Sequence, residues 1–188
     1  MSDVLTLSPS SFLALFNLRS LYLITYGWLL GMSIWVSFFG GTIAFRTLPR
    51  HQFGALQHRT FPIYFSMSIV MSSGLLALWA RAHPAVYDHI FQPAVADVAQ
   101  AYALALVLIS QAVNYFVIGP LTSKTMFQRH KLEKEEGKAY NDPGVSDAMK
   151  ALNSRFGALH GVSSLANLSA VFALLFHGLW VGSVGTGI

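Results

Sequence analysis

His160, Ser163, Ser164 and Asn167 are offset by three, four and seven residues, so on a helix they project from one face. A second polar group, Arg46, Arg50, His51, Gln57 and His58, stands between two long apolar stretches, and Asn114 and Thr122 flank the end of a third. The chemistry these side chains suggest is recognition of an anion. Arginine presents a planar fork of donors that fits phosphate and carboxylate. Arg46, Arg50 and His51 are therefore expected to contact an anionic group. Gln57, Asn114, Thr122, His160, Ser164 and Asn167 would line the wall beneath them in one contiguous polar cluster. A structural reading competes: hydroxyls and amides bridge helices, while arginines anchor the chain to lipid phosphates.

Other chemistries find less support. Ser163 and Ser164 follow His160, but no carboxylate in the same stretch could orient a catalytic imidazole. Gly40-Gly41 lies inside an apolar stretch without the lysine of a phosphate loop. The chain has no cysteine, which removes thiolate metal sites and cysteine nucleophiles. Seven histidines raise the question of haem or metal, with His83 and His177 as the candidate ligands and His89 in the adjoining loop. No two histidines stand four apart within a helix as a zinc site requires, and no cofactor is expected. Haem or metal binding remains the alternative reading, and small-molecule transport a second.

The elements that must hold these residues are membrane helices. Of 188 residues 54% are hydrophobic and 11% charged, against about a quarter charged in soluble domains. The charges are concentrated between Arg46 and Arg59 and between Lys124 and Arg155. Four charge-poor stretches, about 21–45, 63–79, 98–118 and 159–180, are predicted to span the bilayer, with no Asp or Glu inside any of them. The expected fold is all-α: one membrane domain over 1–188, a membrane-spanning four-helix bundle with short amphipathic and cytosolic helical extensions. Gly27 with Gly31, and Ser33 with Ser37 and Gly41, are spaced for close helix packing or a dimer seam.

Between the spans, 46–62 reads as a basic connection with Pro49 and Pro62 at its ends. Ser8-Pro9 suits the start of a short interfacial helix reaching Phe16, and Asp3 argues against a cleaved leader. A helix is expected to resume after Thr122, Glu133-Lys134-Glu135-Glu136 reads as a solvated face, and Ser146 suits an N-cap before the amphipathic entry to the fourth span. Ten of the twelve Lys and Arg fall in 46–62 and 119–158, so the positive-inside rule places both loops in the cytosol. The expected environment is the endoplasmic reticulum and secretory pathway, or the mitochondrial outer membrane. Membrane lipids, partner membrane proteins or further copies of the chain are the expected partners. Nucleic acid is not, because the basic residues flank apolar spans.

The run Phe45-Arg46-Thr47-Leu48-Pro49-Arg50-His51-Gln52-Phe53-Gly54, with Gln57 and Phe61-Pro62-Ile63-Tyr64-Phe65, resembles the transmembrane protein 205 family. The run His160-Gly161-Val162-Ser163-Ser164-Leu165 with Asn167-Leu168 resembles that family's fourth helix. Val113-Asn114, Pro120, Thr122, Met126 and Glu133-Lys134-Glu135 with Gly137 match in order between them. The resemblance covers roughly Gly31 to Leu168 and implies four spans in a eukaryotic membrane, distant kinship with copper-resistance and haem-binding bundles, and no settled activity. Tyr22 stands where relatives are expected to carry a histidine, a departure that weakens the haem reading. The leading expectation is a non-enzymatic protein that binds lipid headgroups, a small anion or partner membrane proteins.

Overall fold

A computed structural model describes residues 6–188; Asp3 lies outside them. The described chain is helical, without strands. Helix α1 covers Pro9–Leu13, α2 Leu18–Thr47, α3 Arg50–Ala82, α4 Ala85–Asp88, α5 Ala96–Glu136 and α6 Asp147–Val184. The four long ones are apolar enough to cross a membrane, and the protein is a multi-pass integral membrane protein. Each packs on its neighbour in sequence and α6 closes back on α2, so the four form an up-down-up-down ring.

Local chemistry sets the helix ends. Ser8 and Ser11 form a reciprocal capping box at α1, with Pro9 where no N–H is needed. The helix stops at Leu13, short of the expected Phe16. Asn17 caps α2, and Ser146 caps α6 by accepting from the Met149 N–H, as its sequence position suggested.

Two stretches read as connections are helix instead. The stretch 46–62 is not a loop: α2 runs to Thr47, α3 begins at Arg50, and Pro62 lies inside it. Proline there costs the helix one backbone bond, a loss that membrane helices tolerate when neighbouring groups satisfy the freed carbonyl. Likewise α5 does not pause at Gly119-Pro120. Residues Asn114–Ile118 form a π-turn, in which the Gly119 N–H reaches back to the Asn114 carbonyl. Pro120 then falls in the first turn of the succeeding α-helical segment, where its missing N–H is least needed. A side chain on Gly119 would meet that carbonyl at 2.7 Å, so the wide turn requires glycine. A second π-turn covers Trp35–Gly40 in α2.

With its 41 residues α5 is about 62 Å long, twice the ~30 Å hydrocarbon core. Its polar last third, from Lys124 onward, therefore projects beyond the membrane. The end carrying this projection and the start of α3 is the basic end, and the start of α2 and the end of α6 lie at the opposite end.

The outer surface is apolar, with Trp28, Phe38, Ile63, Val70, Phe116 and Leu179 all exposed, as a lipid-facing surface should be. Gly27 and Gly31 face outward with no neighbouring atom near a would-be Cβ, so they make no close packing within the chain. Ser33 and Ser37 turn inward. Close approach occurs at Gly178, where a Cβ would lie 1.9 Å from the Tyr26 hydroxyl, itself bonded to the Leu174 carbonyl at 2.9 Å. Gly178→Ala is expected to displace Tyr26 and destabilise the bundle by about 1–3 kcal/mol. Thermal unfolding in detergent tests this, with Gly182→Ala, which adds a methyl in open space, as the control.

Candidate functional sites

Asn167 of α6 bonds to each of the other three long helices. Its amide donates to Ser37 Oγ of α2 at 2.6 Å. Its Oδ1 accepts from the Tyr64 hydroxyl of α3 at 2.7 Å and from Gln111 Nε2 of α5 at 3.1 Å. Ser33 Oγ lies 3.2 Å from the same Tyr64 hydroxyl. One turn nearer the basic end, Asn114 donates to the Ser163 carbonyl at 3.3 Å. These groups are largely buried, and Gln111 Oε1 and Asn114 Oδ1 have no protein partner. Ser37 and Asn114 both lie in π-turns, which change the helical phase and help aim them inward.

Toward the opposite end, His177 is wholly buried, with Nε2 2.6 Å from the Tyr22 hydroxyl and Nδ1 2.9 Å from Gln100 Oε1. Both ring nitrogens are therefore engaged, and the tautomer is set by which end of the Gln100 amide faces Nδ1. Trp79 packs edge-on against His177 and its indole N–H donates to the Asp97 carbonyl. His83 stacks on Trp79 with Nδ1 2.9 Å from the Trp79 carbonyl. Thus both ring nitrogens of His177 and one of His83 are already engaged, and His89 is exposed. The halves of the spans away from the basic end thus hold a polar group of their own. Leu29, Leu75, Leu104 and Leu174 are buried on four helices between it and the Asn167 layer, together with Ser68 and Ser72 of α3, which donate to carbonyls of their own helix.

The third group lies beyond the membrane at the basic end. Glu133 is only 8% exposed, not the solvated residue its charged run suggested. Its Oε1 takes the Arg50 guanidinium and the Tyr140 backbone N–H, while Oε2 is buried without a partner. Arg50 lies 3.7 Å from the Tyr140 ring centre. Arg129, 6% exposed, is held between the rings of Tyr140 and Phe156 at 4.2 and 4.6 Å. Burial, and then the charge of Arg50, hold Arg129 below its ordinary pKa. Burial pushes Glu133 up, but the bonds from Arg50 and Tyr140 outweigh it and leave the carboxyl below its ordinary value. Arg50, His51, Glu133, Lys134, Gly137, Lys138 and Ala139 line a surface cavity of about 270 Å³.

The expected single cluster is divided. Arg50 and His51 belong to the basic end; Asn114 and Asn167 belong to the buried layer. His160 is exposed and stacks on Phe156, and Ser164 and Arg46 are exposed without side-chain bonds. Gln57 is half-buried, and Thr122 bonds its own helix at the Ile118 carbonyl. The division has a geometric cause, since Asn167 lies seven residues, or about 10 Å of helix, below His160. Gln100, Gln111, Arg129, His130 and Tyr140 escaped the sequence reading, and Tyr22 and Tyr64 entered it only through the family resemblance. Gln100 and Gln111 carried a usable signal as amides inside an apolar span.

The profile of DUF4149, a domain of unknown function, matches residues 24–131, over half of the chain. The chain belongs to this family. It is similar to transmembrane protein 205 of Danio rerio, 27% identical over 182 residues, covering 88% of this chain and 89% of the relative. It is also similar to xanthocillin biosynthesis cluster protein D of Aspergillus fumigatus, 27% identical over 167 residues, with 89% and 90% covered. No solved structure matches it. The resemblance to the transmembrane protein 205 family read from its motifs is borne out.

Two outcomes are expected. Asn167→Ala removes three interhelical bonds and should cost about 2 kcal/mol at the modest worth of such bonds in membranes. Unfolding in detergent should show this against the exposed Ser164→Ala, and equal loss in both would deny the layer a structural role. Because the Glu133 pKa is depressed, the stability it contributes is present above the ordinary carboxylate value of about 4.3 and lost as pH falls through the folded value. Exchange of the Tyr140 amide, corrected for its intrinsic rate, should therefore accelerate in acid in the native chain and stay level in Glu133→Gln.

Proposed function

We propose that the protein works by binding, holding a phosphate-bearing or other small anionic group at its basic end. The observation that carries this reading is the cavity of about 270 Å³ at the end of the bundle, lined by Arg50, His51, Lys134 and Lys138 with Glu133 as its one acid. By the positive-inside rule this end faces the cytosol, where anionic lipid headgroups are concentrated. Arg50 is tied to Glu133 and stacked on Tyr140, so it serves as the ordered base of the cavity. The exposed Lys134 and Lys138 are the contacts at its rim, Lys138 donating to the Gly144 carbonyl at 3.1 Å, and exposed Arg46 stands outside the lining at the end of α2. Asn114 and Asn167 support the site from below by fixing how the four helices meet.

Native mass spectrometry of the detergent-solubilised chain with phosphatidic acid, phosphatidylserine and phosphatidylcholine tests the reading. The double variant Lys134→Ala/Lys138→Ala should retain several-fold less of the two anionic lipids and an unchanged amount of phosphatidylcholine. Equal retention of all three by the native chain would remove the proposal. Both lysines are exposed, so the variant leaves the core intact.

A further inference from the structure

His51 and His130 approach one another across the α3–α5 contact, with ring centres 4.5 Å apart and planes at 70°. Glu133 follows His130 by three residues, so both project from one face of the same helix. One potential ligand atom from each of the three lies within 4.8 Å of the other two. We propose that His51, His130 and Glu133 form a binding site for a first-row divalent transition-metal ion of the Zn²⁺ type.

Three features of the surroundings support the assignment. First, the donor set of two imidazoles and one carboxylate suits such an ion, and three protein ligands leave a position open. That position adjoins the cavity, since His51 and Glu133 are part of its lining. Second, Glu133 Oε2 is buried and has no partner among the described residues, while Oε1 is occupied by Arg50 and the Tyr140 N–H. The carboxylate is thus fixed through one oxygen and has the other to offer, the arrangement that orients a metal ligand. Third, the helices are brought together at this point by Gly54, one turn after His51. A Cβ there would stand 3.0 Å from Met126 Sδ and 3.6 Å from His130 Cε1. A bond between His58 and Ser123 at 3.0 Å continues the same seam toward the membrane.

Arg50, Arg129 and Lys134 repel any cation. An ion bound through directed nitrogen lone pairs withstands that field better than Ca²⁺ or Mg²⁺, which depend on anionic oxygens. Selectivity for transition metals over the alkaline earths follows. The site stands whether or not the rim lysines hold an anion.

Metal-stripped full-length protein in detergent, without added lipid, is titrated with Co²⁺ followed by its visible absorption, then with Zn²⁺ in competition. One ion per chain is expected, with Mg²⁺ at large excess failing to displace it. His51 is exposed and its loss leaves the Arg50–Glu133–Tyr140 contacts in place, so His51→Ala should still fold. Disturbing even a ligand's supporting contacts lowers affinity about 10–100-fold, so removing this ligand should weaken binding by at least about tenfold. Lys134→Ala/Lys138→Ala should keep its metal, which separates failure of this site from failure of the anion reading. No Co²⁺ bound by the native chain, or native affinity in both His51→Ala and His130→Ala, would overturn the assignment.

Discussion

The hydrogen-bonded layer around Asn167 is the interaction on which the bundle depends. In hydrocarbon, apolar side chains gain little by exchanging lipid for one another, so burial alone cannot select one helix arrangement from many. A polar side chain inside a span can, because leaving it unpaired costs more than pairing it. Asn167 reaches Ser37, Tyr64 and Gln111, one residue from each of the other helices, and thereby fixes rotation and depth for all four. The two π-turns belong to the same constraint. They introduce a local phase change at Ser37 and Asn114 that a uniform α-helix lacks, at the cost of less favourable backbone geometry.

Around this layer the molecule is divided by solvent rather than by domain. At one end, His177 bonds to both Tyr22 and Gln100 beneath Trp79 and His83, while Gln100 Nε2 is buried without a partner among the described residues. Four buried leucines lie between that group and the Asn167 layer, and buried Ser68 and Ser72 in the same interval donate to carbonyls of their own helix. At the basic end, helices continue past the membrane, and ion pairs and cation–π contacts take over from interhelical amides. Arg129 illustrates the change. It is buried without a carboxylate of its own, and the faces of Tyr140 and Phe156 compensate for part of its lost hydration.

How far the sequence could be read depended on the period of the signal. Span number and the concentration of charge at alternate connections are properties of twenty-residue windows, and each was legible from residue type alone. Helix limits were less so. The stretch 46–62 is polar and carries two prolines, which reads as a connection, yet polarity reports solvent rather than backbone conformation. A helix leaving a membrane stays a helix if its residues permit. Glu133 misled for a similar reason: a run of alternating charges looks solvated until Tyr140, seven residues on, folds back over one member.

The amino-acid sequence by itself determined that this is a four-span membrane protein of the DUF4149 family with its charges at one end, because hydropathy and motif order are local and additive. Tertiary structure decided which polar residues meet. It separated Asn167 from His160 on one helix face, paired Tyr22 with His177 across 155 positions, and brought His51 beside His130. Those outcomes depend on helix phase, on the two π-turns and on the close approach at Gly54. A shift of one residue in any of them turns a side chain by about 100°, and no local pattern in the chain records that angle.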